Sequence, residues 1–141
     1  MEEKDDIPEG YSYEPTASAF VNHVGRLFMR SETLSNGTIQ IVSAMRVEPH
    51  HVNVWGFAHG GLIAFLAECV TSGAAYEPEG KPVVGVQCNL QLIRAPKLGE
   101  LIEMRGSVVR RARTLVFTEG RGEVDGKVVF TATSVLAVVG G

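Results

Sequence analysis

The chain has 141 residues, 45% of them hydrophobic and 21% charged, with a formal net charge of −3. That length fits one domain with a sizeable core, and the weakly acidic balance excludes a general attraction to nucleic acid or to an anionic membrane surface. Any anion binding has to be local.

Residues 1–16, with Pro8, Gly10 and Pro15, read as a flexible lead-in, and residues 17–141 as a single domain. The acidic start, with Glu2, Glu3, Asp5 and Asp6, lacks the basic start and apolar core of a secretory signal, which points to the cytoplasm. Ala17 to Phe28 reads as a short helix. From Thr38 to Val47 the apolar residues alternate, placing Ile39, Ile41, Met45 and Val47 on one strand face, and Pro49 closes the strand. His59 to Tyr76 is nearly all apolar. It is short and carries Glu68, Thr71 and Ser72, so it reads as a buried helix rather than a membrane span.

Four strands follow. Val84, Val86, Cys88, Leu90 and Leu92 alternate with smaller or polar residues, as do Ile102, Met104 and Val108. Thr114–Val124 and Lys127–Val139 are joined by Asp125-Gly126, the pair a type I′ turn wants because both central residues need positive φ. A helix apolar on most sides, one or two strands before it and about four after it predict an α+β fold: an antiparallel sheet of five to six strands wrapped around a long central helix. Cys69 and Cys88 show neither Cys-x-x-Cys nor Cys/His spacing, so neither a zinc site nor a disulfide is expected.

The chemistry concentrates at the start of the long helix. Gly60 and Gly61 follow His59 there, leaving first-turn N–H groups unshielded at the positive end of the helix dipole, a place for an oxygen gaining negative charge. Read alone, the glycines make a tight turn and His59 is a cap or a core histidine. Glu68 is the only formally charged residue between His59 and Tyr76. A buried carboxylate needs a partner, such as Thr71, or a task. His59 and Glu68 lie nine positions apart, roughly 13 Å along a helix and on opposite faces. One chain therefore cannot bring both to one atom, whereas two copies of the helix, antiparallel across a two-fold axis, can.

The pattern Asn53-x-x-Gly56-x-x-His59-Gly60-Gly61, the later acid Glu68 and the turn Pro96-Lys97-Leu98-Gly99 resemble the hotdog-fold thioesterases of the PaaI and 4-hydroxybenzoyl-CoA thioesterase type, over the stretch from about Phe20 to the C-terminus. The resemblance implies a hotdog fold and hydrolysis of an acyl- or aryl-CoA thioester, with no cofactor because CoA is part of the substrate. It implies that Gly60 N–H polarises the thioester carbonyl, that Asn53 positions water or the acid, and that His59 supports the turn. Glu68 from the partner chain would act as general base or as nucleophile. CoA would be held by Gly61, Arg94, Lys97, Arg110, Arg111, Arg113 and Thr114. The homodimer is obligatory for such a site, and a dimer of dimers, a homotetramer, is expected. Several relatives carry Ser or Thr on the strand after the helix where this chain has Gly85, with Gln87 close by. The open alternative is an acyl-CoA-binding hotdog protein without turnover. A hydratase, which needs an acid and a histidine on one segment, ranks below both.

Overall fold

The computed structural model describes residues 6–140. The first five residues of the expected lead-in and Gly141 lie outside the described residues. Helix α1 spans Ala19–Val24 and is shorter than the expected Ala17 to Phe28. The Ser18 side chain accepts from Val21 N–H and so caps its start, Gly25 ends it, and Phe28 already belongs to a strand. Strands β1 (Phe28–Thr33) and β2 (Ile39–Arg46) precede the long helix α2 (Gly60–Ala75). Strands β3 (Val83–Leu92), β4 (Leu101–Arg111), β5 (Leu115–Val124) and β6 (Lys127–Val138) follow it.

The six strands form one sheet in the order β1-β2-β4-β5-β6-β3, and every neighbouring pair is antiparallel. The β5–β6 hairpin closes through Asp125 at φ 51° and Gly126 at φ 78°, as the dipeptide predicts. Strand β3 leaves the chain order to pair with β6, so the sheet ends on β1 at one edge and β3 at the other.

Helix α2 lies on one face of the sheet and buries Leu62, Ile63, Leu66, Ala67, Val70, Thr71 and Ala75. Its apolar side meets Met45, Ile102, Met104 and Phe130 in the main core. Two glycines set how closely it settles. A Cβ at Gly106 would lie 2.6 Å from the Val70 carbonyl oxygen, and one at Gly120 2.8 Å from Val70 Cγ1, so these positions admit no side chain while the helix stays where it is.

Strand β2 differs from the simple alternation. Met45 and Val47 are buried under α2, but Ile39 and Ile41 on the same face are exposed, because that end of the strand runs past the helix. Val42 and Ala44, on the other face, are fully buried instead. Near them the segment before α1 crosses the back of the sheet. Ser12 bridges Met29, Tyr13 meets Phe28 edge-on, Arg26 lies over both rings, and Tyr11 hydroxyl donates to Glu103. Burial and the Glu103 carboxylate push the Tyr11 phenol up to about 12.

Candidate active site

The turn that feeds α2 is built by its own side chains. Asn53 Oδ1 accepts from Trp55 N–H at 2.9 Å and Phe57 N–H at 3.1 Å, and Asn53 N–H donates to the Phe57 carbonyl at 2.7 Å. Gly56, at φ 83°, makes the reversal between them. The Asn53 oxygen is thus occupied by the loop, and only its NH₂ is left to face a substrate. Ala58 N–H donates to the Pro96 carbonyl and Phe57 bridges Lys97, so the Pro96–Gly99 turn holds this loop from outside.

His59 is the N-cap of α2. Its Nδ1 accepts from Gly61 N–H at 2.8 Å, which fixes the neutral ring as the Nε2–H form and turns that N–H outward. A Cβ at Gly61 would come to 3.0 Å from this same Nδ1, so the second glycine makes room for the capping ring. Of the two glycine N–H groups only that of Gly60 is without an acceptor among the described residues, exposed at the dipole's positive end. The sequence pointed to both glycines; the fold leaves one donor.

Glu68 stands two turns further along. The expected buried carboxylate is corrected, because Glu68 is exposed in the single chain, on the open face of α2 that borders β3. Its partner is also not Thr71, whose hydroxyl donates to the Ala67 carbonyl at 2.7 Å and accepts from Ser134 at 2.8 Å. Ser72 Oγ donates to Glu68 Oε1 at 2.7 Å instead. Gly61, Ala64, Phe65, Glu68 and Ser72 fall within a sector of about 100°, and all are exposed or half-buried. The glycine turn and Glu68 therefore share one open face. What separates them within a chain is about 12 Å of helix axis.

Strand β3 runs beneath that face. Strict alternation puts Gly85 opposite to Cys88 and Leu90, but a bulge between Gly85 and Gln87 reverses the parity. As a result Gly85 faces Glu68, and a Cβ there would lie 3.8 Å from Oε1, while at the other end of the strand Leu92 Cδ1 lies 3.7 Å from the Cβ position of Gly60. Both halves of the candidate site rest on β3.

The basic residues do not gather in one protomer. Arg94 and Lys97 sit near the start of α2, whereas Arg110, Arg111, Arg113 and Thr114 lie at the β4–β5 turn near its far end. Arg111 is engaged there, donating to the Ala75 carbonyl at 3.1 Å and pairing with Glu77 at 3.0 Å, so it closes the C-terminus of α2. Arg94, Lys97, Arg110, Arg113 and Thr114 are exposed.

Elsewhere, Glu48, His50 and His51 cluster closely enough to suggest metal ligands. Both imidazole Nε2–H groups donate to the Val24 carbonyl, and His51 Nδ1 accepts from Glu48 N–H. The two rings thus close the end of α1. Burial, with the Glu68 charge beside it, pushes the Cys69 thiol up to about 12, which keeps it from serving as a thiolate nucleophile near neutrality. No helix among the described residues is long and apolar enough to cross a membrane.

Comparison with known proteins supplies the context for this geometry. The profile of the thioesterase superfamily matches residues 56–130, from the Gly56 reversal to Phe130 in the core. Acyl-coenzyme A thioesterase 13 of Homo sapiens is 36% identical over 80 residues, covering 56% of this chain and 57% of that protein. The chain thus spans little more than half the length of that curated relative. Among solved structures, zebrafish thioesterase superfamily member 2 superposes with a TM-score of 0.73 at 26% identity, over 86% of this chain and 88% of that one. A Streptococcus mutans UA159 protein solved bound to acetyl CoA superposes with a TM-score of 0.68 at 26% identity, over 79% and 87% of the two chains.

Proposed function

This chain belongs to the thioesterase superfamily and has its hotdog fold, and from that premise we propose that it hydrolyses acyl-CoA or aryl-CoA thioesters to the free acid and CoA, at sites shared between two copies. The observation that carries this reading is the single bare N–H of Gly60 on the same open helix face as Glu68, two turns away. A substrate carbonyl that needs both takes Gly60 from one chain and Glu68 from the other, with the two α2 helices antiparallel.

In this arrangement the thioester oxygen accepts from Gly60 N–H, whose dipole stabilises the charge that develops as the carbonyl carbon becomes tetrahedral. Glu68 of the second chain takes a proton from water while the water oxygen attacks that carbon. Collapse of the intermediate breaks the C–S bond, and the departing CoA sulfur receives the proton held by Glu68. If Glu68 Oε2 itself attacks, the C–S bond breaks as an anhydride forms and CoA departs as the thiolate, and water then cleaves the anhydride to release the acid, its second proton going to the thiolate. Label found on the Glu68 carboxylate after a single turnover in ¹⁸O water identifies the second route, since direct attack of water on the thioester leaves none there. The steps draw on no cofactor beyond the CoA carried by the substrate. Asn53 NH₂ and His59 Nε2–H are the further donors that face this region, and the cations near the two ends of α2 come together on one CoA only across a dimer.

Thiol release measured over acetyl-, hexanoyl-, palmitoyl- and benzoyl-CoA tests the reading. Glu68→Gln is expected to lower kcat by about 10³-fold; undiminished turnover in that variant sinks the assignment. Gly85, which gives Glu68 no side chain from the strand, favours one alternative, an acyl-CoA-binding protein. That reading predicts saturable binding of a CoA ester by calorimetry with no thiol released.

A further inference from the structure

Two neighbouring hydroxyls on α2 go different ways. Thr71 donates to the carbonyl of Ala67, the usual helix-interior bond of a hydroxyl to the residue four positions back. Ser72, at the same spacing from Glu68, bypasses the backbone and donates to Glu68 Oε1 at 2.7 Å. That oxygen is the one the Gly85 position faces, with no other atom within 4 Å of where a Cβ would stand. Two places from which a hydroxyl can reach Oε1 therefore exist, one on the helix and one on β3, and this chain fills the one on the helix.

Resting on the proposed role of Glu68, we infer that Ser72 is a positioning residue for the reaction: its hydroxyl holds the Glu68 carboxylate by Oε1 and leaves Oε2 for the water. The physical gain is in order. A glutamate exposed on a helix is spread over several rotamers, and a donor on one oxygen confines it to the one that presents Oε2. Ser72 reaches no substrate atom, so its effect falls on the rate of the chemical step rather than on CoA binding.

The test is a hydroxyl moved from one element to another. Ser72→Ala removes the donor while favouring the helix, so folding is not at stake. With the most rapidly cleaved acyl-CoA of the panel, kcat is expected to fall about tenfold or more, the scale of one hydrogen bond to a charged group, with KM changed less than about twofold. Ser72→Thr keeps the hydroxyl and is expected to retain most of kcat. In the double variant Ser72→Ala/Gly85→Ser, the new hydroxyl stands one bond beyond the open Cβ position and is expected to recover most of the lost kcat. Ser72→Ala/Gly85→Ala, which adds bulk without a donor, is expected to recover none. If Glu68→Gln is inactive yet Ser72→Ala keeps the full kcat, or if the serine and alanine double variants behave alike, the role of Ser72 is overturned while that of Glu68 stands. If Glu68→Gln is itself fully active, the catalytic reading fails first and this inference with it.

Discussion

At one edge of the sheet β1 is six residues long, carries Arg30 and Glu32, and has Ser12 bonded to Met29 along its outer side. At the other edge β3 runs for ten residues from Val83 to Leu92 without a charged side chain, and none of the described residues lies beside it as a further strand. The first edge carries protections that discourage strand addition: shortness, charge and a covering segment. The second carries none, and Val84, Val86, Leu92 and Ile93 lie exposed along it beside the open face of α2. An edge left bare beside the candidate catalytic residues fits a partner strand, and the one the proposed two-fold site supplies is β3 of a second copy.

A lysine placed on each edge tests that contrast most severely. In a two-fold pairing along β3, Val86→Lys puts a charge into the apolar seam from both chains, so it is expected to give a monomer in sedimentation velocity and to reduce thiol release more than about 100-fold, since each site loses half its groups. Ser31→Lys, on exposed β1, is expected to change neither. A dimeric and active Val86→Lys protein removes β3 from the interface. A smaller effect follows from uncovering β1. Tyr13→Ala deletes the edge-on contact with Phe28 and the ring under Arg26, and is expected to cost about 1 kcal/mol in urea unfolding while thiol release persists. A parallel loss of activity would mean that the back of the sheet is coupled to the site.

The smallest effect concerns the charges on and around β1. The hydrogen bond and charge of Arg105 hold the Glu32 carboxyl below the usual carboxylate range. The stabilisation is complete above the ordinary value near pH 4 and is lost as pH falls through the lowered one. Wild type is expected to exceed Glu32→Gln by under about 1 kcal/mol at pH 7, with the difference closing toward pH 2. A gap that widens on acidification contradicts this.

The contrast between the edges was only partly legible in the residues. The Asp125-Gly126 hairpin, the apolar helix and the antiparallel strands followed from local rules, because turn chemistry and periodicity act over a few positions. The bulge in β3 was signalled only by the isolated Gly85 inside a strand pattern, which does not say which residue is extra, yet the bulge brings Gly85 to face Glu68. The exposure of Glu68 was hidden for another reason: an apolar sequence announces burial without saying whether its own chain or a second one supplies it. Ile39 and Ile41 misled in the same way. The Ser72 partnership was readable as a Glu and a Ser four apart on a helix, but Thr71 was an equally near hydroxyl, and only the rotamers separate them. Arg111 read only as one more phosphate ligand, and its contacts with Ala75 and Glu77, which close the helix, were not legible in the basic cluster.

Gly106 and Gly120, which let α2 lie against the sheet, bear on how such a protein can diverge. Any side chain added at either place has to raise the helix, and raising it moves Gly60 and Glu68 together with their β3 floor left behind. Neither residue can then be adjusted without the other. New acyl preferences are more accessible through residues that the helix does not carry, on β3 and on the loop from Asn53 to Ala58, where a single replacement reshapes the space around a substrate and leaves the spacing of the reacting groups intact.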